Sequence, residues 1–322
     1  MQSVTYAPLP ISDTWRLSPL ESAILETVAY ADVFDYPLTS LQLHRYLHRV
    51  PAEPDEIRRV LPEGNLIPGY LNLRAGFVTL VGREHLVSKR LRGIELAARL
   101  YSHAAHYGRL LGGLPFIRMV ALTGSLAMGN ISGNADFDYF ILAENGRVWT
   151  CRAFSLLLAR VARMQGYSIC PNFIISKKQM ILPHRNIYTA HELTQMVPLS
   201  GFALYRELRR LNSWSDGFLP NSLGPPLNMY SPVSAPDSGR FLQLAQKTGE
   251  GFLHTRFGEG LERWEMSRKM RKFARLDSNS SETHFSADWC QGHFDHHGER
   301  TLAAFRRRME NLSTFSMGNS DE

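Results

Sequence analysis

Two aspartates one residue apart, Asp136 and Asp138, follow the pair Gly124-Ser125 after a short spacer. Side chains alternate faces along a strand, so Asp136 and Asp138 would point the same way and Phe137 and Tyr139 the other. Two carboxylates on one face repel each other unless a cation lies between them. Mg²⁺ takes oxygen ligands and is commonly shared between carboxylates and substrate phosphates. A pair of such ions, roughly 3.5–4 Å apart, clamps the attacking and leaving oxygens of an in-line displacement. The chemistry these residues point to is metal-assisted handling of a phosphate.

The elements that must position them are legible around the motif. Phe116-Ile117-Arg118-Met119-Val120-Ala121-Leu122-Thr123 is mostly apolar and stops at a glycine, which predicts a buried strand. Gly124 permits a sharp turn and close backbone approach. Ser125 then opens a short helix, Leu126 to about Asn130, whose free N–H groups and positive dipole end suit a phosphate. Asn130, Ser132, Gly133 and Asn134 form a loop, and Ala135 to Leu142 resumes as a strand.

An apolar strand, Gly-Ser, a spacer and Asp-x-Asp on the next strand resemble the nucleotidyltransferase superfamily typified by DNA polymerase beta. The resemblance covers residues from about 95 to 200. It implies that Gly124 and Ser125 contact nucleotide phosphates and that Asp136 and Asp138 hold divalent metal, Mg²⁺ or Mn²⁺. It implies transfer of a nucleotidyl group from a nucleoside triphosphate to an acceptor, which the residues leave open among nucleic acid, protein and small molecule. The family draws a third carboxylate from a later strand. The later strand here, Ser168 to Ile175, offers Asn172 instead, and an amide cannot take a proton. Asn172 is then a degenerate third ligand, or Glu192 or another carboxylate reaches in, or nucleotide binds without turnover. The last case makes the chain a nucleotide sensor or nucleic-acid-binding regulator.

Upstream, helical patterns over Pro19–Ala29, Leu41–Leu47 and Pro54–Leu61 precede two strand-like runs, Tyr70–Leu73 and Phe77–Val81, joined by Arg74-Ala75-Gly76. Residues 19–84 therefore resemble a winged-helix module. Winged helices that read DNA do so through the third helix. Glu53, Asp55, Glu56 and Glu63 sit on or beside that helix and would repel phosphates, which favours a structural or substrate-positioning role. Residues 85–111 predict a long helix. The expected organisation is a flexible tail (1–18), a winged-helix-like module (19–84), a nucleotidyltransferase core (85–212), a linker or long loop (213–238), a helical C-terminal region (239–313) and a tail (314–322). The fold class is α+β, a small mixed sheet with packed helices.

Further downstream, a helix starting at Thr189 as its cap would bury Leu193, Met196 and Val197, with His191 and Glu192 in its first turn. Residues 240–276 are helical, broken by Gly249, Gly251, Gly258 and Gly260. A last helix is expected from about Ala287 to Leu312. At helical spacing it would bring Cys290, His293 and His297 to one face, a ligand set zinc uses.

Composition bounds the rest. The chain has 322 residues and 44% hydrophobic content, enough for two or three compact units. No apolar run is long enough to span a bilayer, and residues 1–17 lack the pattern of a secretory signal. Three cysteines, Cys151, Cys170 and Cys290, make no disulfide framework. A cytoplasmic setting without membrane contact follows as the expectation. A net charge of +6, with cationic clusters at 83–99, 263–275 and 300–308, permits a polyanionic partner without demonstrating one.

Overall fold

The computed structural model describes residues 17–131, 133, 135–226, 240–273, 283–292 and 297–318. Residues 1–16 of the expected tail, most of the Pro-rich segment after 226, His293 and His296 lie outside the described residues.

The first helix, α1 (Pro19–Asp32), starts at a capping box: Ser18 Oγ accepts from the Glu21 N–H at 3.2 Å, and the Glu21 carboxylate accepts from the Ser18 N–H at 2.8 Å. A two-residue strand, β1 (Leu38–Thr39), runs into α2 (Ser40–Arg45), capped by Thr39. Then follow α3 (Pro54–Glu63), β2 (Leu71–Arg74) and β3 (Phe77–Leu80). The β2–β3 turn is Ala75-Gly76, both with positive φ, the twist that a two-residue hairpin needs. The three strands form an antiparallel sheet in the order β1-β3-β2. Ile24, Val28, Leu43, Leu47, Ile57 and Val78 fill its core.

The long helix α4 (Leu86–Gly112) leads into β4 (Ile117–Thr123), the one-turn helix α5 (Gly124–Ala127) and β5 (Asp136–Ala143). Helix α6 (Val148–Met164) then crosses over to β6 (Ser168–Ser176), which pairs parallel with β5. A parallel neighbour requires such a crossover. Next come α7 (Ile187–Gln195), β7 (Val197–Ser200), α8 (Phe202–Leu211), α9 (Arg240–Leu253), α10 (Arg256–Phe273), β8 (Thr283–Phe285), β9 (Trp289–Gly292) and α11 (His297–Gly318). The second sheet has the order β7-β4-β5-β6-β9-β8.

This sheet is covered on both faces. Val120, Leu122, Phe137, Tyr139 and Ile141 point to the side of α4 and α6, with Tyr101, Ala104 and Trp149. Met119, Ala121, Phe140 and Leu142 point to the side of α7 and α8, with Leu193, Tyr205 and Leu208. By the same alternation Asp136 and Asp138 belong to the α7 side. The chain is thus a mixed α+β protein with two sheets.

Three expectations are corrected. Helix α7 is capped by Asn186, whose Oδ1 accepts from the Thr189 N–H at 2.9 Å, not by Thr189. Val197 opens strand β7 rather than ending that helix; β7 tolerates Pro198 because it is an edge strand. The last helix begins at His297, because residues 283–292 form a hairpin that pairs with the free edge of β6. Residues 213–217, at the head of the expected loop, form a 3₁₀ turn, and Leu219 beyond it is buried.

A carboxylate from α10 holds the start of α6. Buried Glu262 accepts from the N–H groups of Trp149 at 2.9 Å and Thr150 at 2.6 Å. These donors have no partner inside the helix. Glu262→Ala is expected to lower global stability by about 2–3 kcal/mol, since it strands two buried donors. Denaturant unfolding measures this, and an unchanged midpoint would contradict the assignment.

Candidate functional site

The site is built where β4 ends. Gly124 has φ +69°, and a Cβ placed on it would stand 2.5 Å from Asp138 Oδ2. Both the backbone angle and the neighbouring carboxylate demand glycine. Ser125 is exposed at the rim. The chain after it is pinned: Asn130 N–H donates to Ser125 O at 2.8 Å, and Asn130 Nδ2 donates to Phe34 O at 2.9 Å. Fully buried Arg90 donates to the carbonyls of Met128 and Gly129 and lies over the Tyr36 ring at 4.3 Å. The Tyr36 hydroxyl itself donates to Met128 O at 3.0 Å.

Strand β5 sets Asp138 opposite Thr123 and, on its other side, opposite Cys170. Asp136 is exposed and Asp138 half-buried. Asn172 Nδ2 donates to Asp138 Oδ1 at 3.2 Å, so the amide does occupy the place beside the motif. Burial, and then the Asp136 charge, pushes the Asp138 carboxyl up to about 7. Burial, and then Asp138, pushes the Cys170 thiol up to about 12.

A further carboxylate lines the space beside Gly124-Ser125 and Asn172. Glu192 on α7 is held at about 7, first by burial and then by the charge of Asp138. Its neighbour His191 stacks on Tyr30 at 4.2 Å and meets His48 Nε2 through its own Nε2 at 3.2 Å. Burial lowers both histidines, so the pair is neutral, one ring donating and the other accepting.

Glu192 divides two cavities. One, of about 300 Å³, contains Gly124, Ser125, Met128 and Asn130 on one side and Tyr30, Phe34, Tyr36 and Tyr46 on the other. The second, of about 100 Å³, contains Thr123, Asn172, Phe173, His184, Tyr188 and Trp289. The aromatic wall of the larger cavity carried one signal in the sequence, the spacing Tyr30, Phe34, Tyr36, which reads equally well as core.

Among the described residues no cluster of three or more His, Cys, Asp and Glu side chains has metal-holding geometry. The donor set nevertheless suits a cation completed by substrate. Asp136 and Asp138 lie two residues apart on one face of β5, and Mg²⁺ at phosphate sites takes one or two carboxylates plus phosphate oxygens. The expected Cys290/His293/His297 set does not form as drawn: Cys290 lies buried on β9, paired with Ile174 of β6, not on the helix of His297. His293 lies outside the described residues.

No family model, curated protein or solved structure matches the chain.

The acids generate a pH signature. In the absence of metal, Asp138 and Glu192 should titrate as a pair with apparent values near 7. A carboxyl whose folded value is raised stabilises the fold below its unfolded value and loses that contribution as pH rises through the folded one. The lowered histidines act oppositely, losing stability as pH falls through the ordinary histidine range. Asp138→Asn isolates the acids: from pH about 4 to about 7 the variant should gain stability relative to wild type, read by denaturant unfolding. A pH-independent difference would refute the coupling.

Proposed function

We propose that the chain is a metal-dependent nucleotidyltransferase of the DNA polymerase beta type. It would move a nucleotidyl group from a nucleoside triphosphate to an acceptor hydroxyl and release pyrophosphate. The observation that carries the reading is the convergence of Asp138, Asp136 and Glu192 beside the Gly124-Ser125 turn, on one face of the sheet.

Ser125 and the N–H groups that follow it would hold the β- and γ-phosphates. Asp136 and Asp138 would hold Mg²⁺ (or Mn²⁺), which when bound neutralises charge developing on the phosphate oxygens. Glu192 takes the part that Asn172 cannot. Its carboxyl, held near neutrality, suits transfer of the acceptor's proton at physiological pH. The acceptor oxygen bonds to the α-phosphorus, its proton passes to Glu192, and the bond to the bridging oxygen breaks, that oxygen keeping the electron pair on pyrophosphate. Asn172, fixed against Asp138, orients that carboxylate.

The order helix, strand, helix, helix, strand, strand over residues 19–80 supports a winged-helix reading of the N-terminal module. Arg58 of its third helix is paired with Asp55 at 2.5 Å, and its tyrosines line the larger cavity. Both features support substrate positioning over DNA reading. The amide at Asn172 favours a second reading, a nucleotide sensor that binds without turnover.

Incubation with labelled nucleoside triphosphates, Mg²⁺ or Mn²⁺ and cell extract tests these. Wild type should transfer label, and Asp136→Asn/Asp138→Asn should neither transfer it nor bind nucleotide in a metal-dependent way. Glu192→Gln should slow transfer about 100-fold or more while still binding nucleotide. Binding without transfer by wild type would replace the enzyme with the sensor; neither binding nor transfer would sink both.

A further inference from the structure

The larger cavity asks for an occupant. It lies between α1, the turn after α5, α7 and the first residue of α11, His297. Its walls are the rings of Tyr30, Phe34, Tyr36 and Tyr46 with Met128. Its polar groups gather at Ser125, Asn130, Glu192 and Gln195, and no Lys or Arg is among its described lining residues. A volume of about 300 Å³, mostly apolar with few convergent polar atoms, is that of a small-molecule site. It is not the surface that a polyanion requires.

We propose that this cavity receives the base of the nucleoside triphosphate and favours one with an exocyclic amino group, adenine over hypoxanthine. This rests on the nucleotidyltransferase reading given above.

Strand order assigns the cavity to the nucleotide. Gly124-Ser125, at the end of β4, flanks Asp138 on one side, and Asn172, on β6, flanks it on the other. An in-line displacement needs the acceptor opposite the leaving pyrophosphate. With pyrophosphate at Ser125, the acceptor comes from the Asn172 side, where the smaller cavity opens. The larger cavity, continuous with Ser125, is left for the non-reacting part of the same nucleotide. Its aromatic walls supply the stacking that bases use.

The hydrogen bonds already made select the base. Asn130 commits Nδ2 to Phe34 O at 2.9 Å. Gln195 commits Nε2 to His191 Nδ1 at 3.2 Å. With Gln195 donating, His191 donates through Nε2 to His48, and His48 Nδ1 faces the Glu26 carboxylate at 3.9 Å. The opposite assignment would turn a lone pair of His48 Nδ1 toward that carboxylate. The two amide oxygens, with no partner among the described residues, are acceptors in the cavity lining. The adenine amino group brings two donors, one for each of these acceptors, whereas hypoxanthine brings a single donor, N1–H, beside a carbonyl that is one more acceptor.

Equilibrium binding of ATP, inosine triphosphate and inorganic tripolyphosphate, each with Mg²⁺, tests the proposal on wild type, Phe34→Ala and Gln195→Leu. Wild type should bind ATP about tenfold or more tighter than either other ligand. Phe34→Ala should lose about tenfold for ATP and keep wild-type affinity for tripolyphosphate, which also reports that the fold is intact. Gln195→Leu should bind ATP and inosine triphosphate alike. Wild type binding ATP no tighter than tripolyphosphate would overturn the base subsite and leave the phosphate site standing. So would Phe34→Ala matching wild type for both ligands. If wild type binds neither in a metal-dependent way, the transferase reading itself fails, and the base subsite falls with it.

Discussion

Everything at the site follows from two carboxyl groups being brought into one half-apolar space. Asp138 and Glu192 come from different elements, β5 and α7; burial raises both, with the Asp136 charge adding to Asp138 and the Asp138 charge adding to Glu192. Such proximity costs free energy in the empty protein, and the surrounding packing has to enforce it. Phe140 and Leu142, two and four residues beyond Asp138, share a core with Leu193, the neighbour of Glu192. The burial that joins α7 to β5 is the force that holds the acids together. Perturbed carboxyls of this sort cluster at functional sites, though structural charge networks produce them too.

The second constraint is Arg90. A guanidinium almost wholly removed from water needs local partners; its two terminal nitrogens find them on the carbonyls of the turn after α5 and on the Tyr36 hydroxyl, while Nε is left unpaired. The N-terminal module and the turn after α5 are thereby locked to one residue of α4. Ion pairs on the rim, Arg83 with Asp32 and Asp35, Lys89 with Asp35, and Arg308 with Asp32, add α11 to the same junction. The pairs on half-exposed Asp35 contribute little each, whereas Asp32 is buried between Arg83 and Arg308. Their role here is orientation of the cavity wall.

What the sequence disclosed depended on burial. The strands around the motif are apolar and ten or fewer residues long, so their pattern stands out, and Gly124, Ser125, Asp136, Asp138 and Asn172 fall together as their spacing implied. Strand β7 was hidden because four residues with an internal proline carry no period. The β8–β9 hairpin was hidden because Trp289 and Cys290 can be threaded onto a helical wheel as easily as onto an edge strand. Glu192 could be named as a carboxylate able to complete the set, or as a plain first-turn glutamate; the choice between these depends on how α7 folds back, which no local pattern encodes. The same holds for the tyrosines of α1 and α2, whose spacing reads as core until a cavity is found beside them.

The pairing of β9 with β6 bears on how the chain is made. Among the described residues, Phe173, Ile174 and Ile175 pair along their outer edge with Trp289, Cys290 and Gln291, more than a hundred positions later in the sequence. During synthesis the β6 edge therefore stays uncovered while the intervening helices emerge, and an apolar strand with free backbone groups is a template for other chains. Trp289 also contributes to the smaller cavity. The segment that covers the β6 edge is thus also the one that completes a wall of the smaller cavity, so that edge and cavity are finished at the same late stage of synthesis.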